Sequence, residues 1–146
     1  MEKMSTGLCD YLLTTGSLKA CFDGAAKLMI YGGTVPTTAD AALGAAVLLV
    51  TVANAGAEVN FAAASVAGYL AKLAAETWTA NGVANGTATF YRFQFTGDTG
   101  ALSTTNKRIQ GTIGTTTAFD LVVADATVSI GVPFPINYFT QAIVPS

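Results

Sequence analysis

Asp98-Thr99-Gly100 is the one string in this chain that could do carboxylate chemistry of a recognised kind. Aspartic proteases use such a loop because two of them face each other and their carboxylates share a proton. Apolar strand residues run up to the aspartate in those enzymes, whereas Thr96-Gly97 precede it here. Gly97-Asp98-Thr99-Gly100 therefore reads as a turn between two strands. Serine chemistry has less to work with: there is no histidine to act as base, no G-x-S-x-G elbow and no S-x-x-K string. No glycine-rich phosphate loop is present. Cys9 and Cys21 belong to no C-x-x-C pair, so they read as two buried thiols behaving as small hydrophobes, with a disulfide between them as the alternative in oxidising surroundings. Asp98, Asp120 and Asp125 lack the D-x-D-x-D-G spacing of a calcium loop and read as solvated loop acids. Asn85-Gly86-Thr87 matches a glycosylation sequon but is more simply a turn. The expectation is no catalytic residue, no cofactor and no metal.

The elements that must position these residues come in two kinds. Ser5 is suited to cap a helix. Leu8 with Leu12, and Cys9 with Leu13, share faces at the i, i+4 spacing of an amphipathic helix. Gly16 can stop it, Ser17 can start a second turn over Leu18–Phe22, and Asp23-Gly24 reads as a turn. From Lys27 the period becomes two. Lys27–Tyr31 and Val47–Ala53 read as strands, separated by a loop over Thr34–Gly44 with a possible helical turn at Asp40–Leu43. Over Thr87–Phe95, Tyr91, Phe93 and Phe95 alternate with Arg92 and Gln94. Over Arg108–Gly114, Ile109, Gly111 and Ile113 alternate with Arg108, Gln110 and Thr112. Phe119–Val123, Val128–Val132 and Ile136–Val144 complete the set. Phe61–Trp78 is ambiguous: its alanines favour helix, Gly68 and its neighbours favour strand, and the balance tips towards a strand near Tyr69–Leu73. Short strands parted by Gly, Thr and Asn loops predict a mainly β, single-domain fold, a β-sandwich or jelly-roll-like barrel. A helical segment at 1–24 would precede the sandwich at 25–146.

Composition narrows the function. Of 146 residues, seven are basic and nine acidic, or 11% charged, where an ordinary soluble domain carries about 25%. Half the residues (51%) are apolar and mean hydropathy is +0.49. A free monomer needs a charged, patch-free surface to stay dispersed, so this exterior is suited to being covered by other protein. The net charge of −2 gives no footprint for nucleic acid. The uncharged stretches Ala41–Ala57 and Ala126–Ser146 are too short or too rich in proline for a membrane span, which needs about 20 apolar residues. Without an apolar h-region at its start, the chain reads as made in the cytoplasm and unprocessed. The 21 threonines and 26 alanines suit surfaces that pack closely with little side-chain entropy lost. The residues expected at assembly contacts are Leu8 and Leu12 on the helix, Trp78, and Phe134, Tyr138 and Phe139 in the uncharged tail, since interface anchors favour large aromatics.

The order of segments carries a resemblance. An N-terminal helix is followed by LMIYGGTVPTTADAALGAAVLLVTVAN (Leu28–Asn54), GTATFYRFQFTGDTGALS (Gly86–Ser103), RIQGTIG (Arg108–Gly114) and a Thr/Val-rich closing strand. From Leu8 to Val144 this is similar to small virion structural proteins of tailed bacteriophages, including the cement or decoration proteins of the head. The resemblance implies a β-barrel or jelly-roll subunit, made in the host cytoplasm and placed on the outer surface of the phage head. Its partners would be the major capsid protein and copies of itself, as a dimer or trimer, with no nucleic acid or membrane. It would clamp neighbouring capsid subunits. The alternative is a tail- or fibre-associated module that stacks host-surface glycan on exposed aromatics.

Overall fold

The computed structural model describes residues 1–63 and 68–142. After a two-residue strand, β1 (Lys3–Met4), Ser5 caps helix α1 (Thr6–Thr14) by accepting the Leu8 N–H. The same Ser5 hydroxyl donates to the Asn106 carbonyl at 2.7 Å and accepts the Arg108 N–H at 2.9 Å. One buried hydroxyl thus joins the helix start to a distant strand. Ser17 caps α2 (Leu18–Phe22) in the same way, accepting the Ala20 N–H. Both helices fall where the caps and glycine predict. Only the Leu8 face of α1 is buried; Leu13 stands in solvent, and of the two cysteines Cys21 is buried but Cys9 is exposed, correcting the expectation of two buried thiols.

The remaining elements are strands: β2 (Ala26–Gly32), β3 (Val47–Asn54), β4 (Tyr69–Ala71), β5 (Trp78–Asn81), β6 (Gly86–Thr87), β7 (Phe90–Phe95), β8 (Arg108–Gly114), β9 (Leu121–Val122), β10 (Thr127–Val128), β11 (Pro133–Ile136) and β12 (Thr140–Ala142). The protein is mainly β. The principal sheet runs β1-β8-β7-β2-β3-β5-β11, antiparallel throughout, with β9 added parallel to β8. It is an open sheet, and the barrel expected from sequence does not form. The ambiguous stretch resolves as strand at β4, near the place expected; its residues 64–67 lie outside the described residues, as does the end of the expected strand Ile136–Val144. That last strand is interrupted at Asn137–Phe139, which separates β11 from β12, and β11 begins earlier than expected, at Pro133. Its two prolines fall on the exposed alternation of an edge strand, where a missing N–H costs no ladder bond. No helical turn forms at Asp40–Leu43.

Register assigns the two faces of the sheet. Leu28 pairs with Phe93 and Val52, and Phe93 with Ile109, so these four share the core face. Phe93 sits at its centre: Phe22 meets it edge-on at 5.0 Å, Trp78 stacks at 6.1 Å, and Phe139 stacks at 5.9 Å from the far end of the chain. Such pairs add to area burial because ring edges and faces carry opposite partial charge. Helix α2, the Val59–Phe61 segment and Phe139 close this side. No helix among the described residues is long and apolar enough to cross a membrane.

Candidate functional site

On the opposite face, register aligns Met29, Arg92 and Gln110 in one row and Lys27, Gln94 and Arg108 in the next. Alternation alone would put this polar row in water. Instead Arg92, Gln94, Arg108 and Gln110 are all buried, because the loop between β2 and β3 lies across them. The side chains hold that loop by its carbonyls. Arg92 Nη2 donates to the Ala41 carbonyl at 2.7 Å and its Nε to Gln110 Oε1 at 2.8 Å. Gln110 Nε2 donates to the Pro36 carbonyl at 2.8 Å. Arg108 Nη1 donates to the Ala39 carbonyl at 3.2 Å. From α1, the Thr6 N–H and hydroxyl donate to the Asp40 carboxylate at 3.0 and 2.6 Å. A loop without strand or helix of its own is fixed at both rows of the sheet.

Asp98 is the counterion of this layer. Arg108 grips it with Nε on Oδ2 at 2.6 Å and Nη2 on Oδ1 at 2.7 Å, a two-pronged pair with both side chains out of water. The Gly100 N–H also donates to Oδ1, at 2.9 Å. Burial pushes the Asp98 carboxyl up, but the Arg108 hydrogen bonds and charge outweigh it and hold it below the usual range. The Asp-Thr-Gly string therefore serves a turn and an ion pair: what faces Asp98 is a guanidinium, not a second carboxylate. Arg92 has no carboxylate against it. Burial, and then the Arg108 charge beside it, bring its pKa down to about 10, and its Nη1 has no partner. Among the described residues no group of three or more His, Cys, Asp or Glu is placed to hold a metal.

Two further carboxylates are drawn inward. Glu76 accepts Asn60 Nδ2 at 2.6 Å and Trp78 Nε1 at 2.7 Å; burial raises its pKa, and these bonds more than reverse the shift. Glu2 accepts the Tyr91 hydroxyl and the Gln141 amide, joining the two ends of the described chain. Here burial wins and the Glu2 pKa is raised. Asp120 and Asp125 are loop acids, each bonded to a nearby threonine N–H. Asn85 accepts the Ile130 N–H at 2.9 Å, as a turn residue does.

The six residues expected at assembly contacts separate sharply. Leu8, Trp78, Phe134 and Phe139 belong to the chain's own core and offer no side chain to a partner; Leu12 is half covered; Tyr138 is 73% exposed. The apolar side chains that do face outward are others, among them Val47, Leu48, Val83, Ile130 and Val132. Their signal in the sequence was the absence of charge around them, not their own size. Tyr138 borders an open groove of about 310 Å³, lined also by Val122, Val132, Pro133 and Pro135, with Asp125 beside them. Compared with protein-family models, curated proteins and solved structures, the chain matches none.

Proposed function

We propose that this chain is a non-enzymatic virion structural protein, a cement or decoration protein on the outside of a tailed-phage head, whose copies associate and clamp neighbouring major capsid subunits. The observation that carries the reading is where the few charges go. Of sixteen ionic side chains, seven basic and nine acidic, Arg92, Arg108, Glu76 and Asp98 are withdrawn into the interior. The exterior is therefore poorer in charge than the composition already suggests, while apolar side chains such as Val83 and Ile130 face outward. A surface of that kind is disfavoured on a free monomer and favoured where protein covers it. Many modest contacts repeated over a symmetric shell act together through high effective concentration.

The glycan-binding alternative draws less support. It needs a row of aromatic faces beside polar groups, and Trp78, Phe134 and Phe139 are enclosed. The two readings part in one experiment. Virions with and without the protein are heated and DNA release is followed. The capsid reading expects release at a lower temperature without it; equal release temperatures, with binding of the purified protein on a glycan array, would replace it by the alternative.

A further inference from the structure

The two ends of the open sheet approach each other without pairing. β11 is the last strand at one end of the strand order, and β9 flanks β8 near the other. Val122 of β9 and Pro133 and Pro135 of β11 line one groove of about 310 Å³, with Asp125, Asn137 and Tyr138 around it. The Gly82 N–H donates to the Val132 carbonyl at 3.0 Å, and Phe134 and Ile136 pair with Ala80 and Trp78 in the same alternation. The backbone groups of residues 132, 134 and 136 therefore face β5, and those of 133 and 135 face away from it. Both of the latter are prolines, so the outer edge of β11 offers two carbonyls and no N–H. Asp125 is the only ionic side chain lining the groove; it is exposed, and no basic side chain among the described residues pairs with it. Its Oδ1 accepts the Thr127 N–H at 2.8 Å, which fixes the carboxylate in place. Tyr138 is held at the rim because its neighbour Phe139 is anchored in the core.

We propose that this groove is the seat of an arginine side chain from a different protein, with its guanidinium between Asp125, the outward carbonyls of Pro133 and Pro135, and the ring of Tyr138. The chemistry of the groove selects the occupant. A strand laid along β11 would bring carbonyls as well as N–H groups, and its carbonyls would find no donor there. A guanidinium carries five N–H donors and no acceptor, which matches an edge of acceptors beside a carboxylate. The two proline carbonyls stand about 7 Å apart at the rise of a strand, a span that the planar fork bridges better than a single ammonium point does. The exposed Tyr138 ring adds a face on which a flat cation stacks. A second copy cannot supply the group. The chain has two arginines, Arg92 and Arg108, and both are fully buried. The groove stands on its own geometry, whether or not the capsid reading holds; on that reading, the arginine belongs to the capsid protein.

The test is an NMR titration of the full chain with the acetylated, amidated tripeptide Gly-Arg-Gly. The same tripeptide with citrulline, which keeps the shape and loses the charge, is the control. The expected result is saturable movement of the backbone amide signals at 122–127 and 136–138, with a millimolar dissociation constant for the arginine peptide and no saturation for citrulline. D125N, which keeps the acceptor for the Thr127 N–H, and Y138A should each weaken binding about fivefold. The dispersion of the variants' spectra reports whether they fold; should either fail, the comparison of arginine with citrulline on the wild type decides alone. No saturation with the arginine peptide, signals moving elsewhere, equal binding of citrulline, or folded variants that bind as the wild type does would overturn the inference. Heating of virions reads the capsid role separately. A groove that takes arginine on a protein without effect on DNA release leaves the site standing and removes the capsid reading, and the opposite pair of results does the reverse.

Discussion

Arg108 shows how one side chain can decide both a turn and a loop. Its guanidinium occupies Asp98, the Ala39 carbonyl and the Ala101 carbonyl at once. R108M would leave the Asp98 carboxylate buried without its partner, a loss of about 3–5 kcal/mol. Urea unfolding should show it, and adding D98N to R108M should restore part of the loss, because the double variant carries no orphaned charge. The pH dependence has a definite sign. The folded Asp98 pKa lies below the unfolded value of about 3.9, so the unfolded chain binds the proton first. The stabilisation is complete above about pH 4 and is lost as pH falls through the folded value. The acid limb of the wild-type stability profile should therefore be steeper than that of D98N. An aspartate waiting to do proton transfer would instead tolerate D98N with its stability profile unchanged.

At the scale of elements, helix α1 is held by contact as much as by its cap. A Cβ on Gly7 would lie 2.2 Å from the Thr105 carbonyl oxygen, a backbone atom that cannot step aside. G7A should force the helix off the loop leading into β8 and cost about 1–3 kcal/mol, read as a fall in Tm, although alanine is the better helix former. Both helices and the central strands were legible, because Ser5, Ser17 and the alternation in TATFYRFQF and RIQGTIG are local signals. The alternation also placed Arg92, Gln94, Arg108 and Gln110 on one face. It could not show that the loop after β2 folds back over that face, since the bonds from that face to the loop join residues more than fifty positions apart, as from Arg92 to Ala41. The aromatic assignments went astray for a related reason. Trp78 and Phe139 look peripheral in sequence, yet both stack on Phe93. A proline-flanked tail reads as an arm until the edge-strand pairing of Pro133–Ile136 with β5 is known.

At the scale of the whole molecule, the interior uses Arg92, Arg108, Glu76 and Asp98 as fasteners and leaves the exterior poor in charge. That division explains how a chain with so few ionic groups can still have a defined polar interior: the loop over Arg92 and Arg108, the Glu76 cluster under Trp78, and Glu2 between Tyr91 and Gln141. It also sets the expectation that the outside is completed by neighbours. The most direct measurement is an image of the particle at residue resolution with this chain located in it. The account predicts density for this chain on the outer surface of the head, at junctions between capsid subunits. Density for this chain at the tail or fibres, or a virion that contains none of it, would contradict the account.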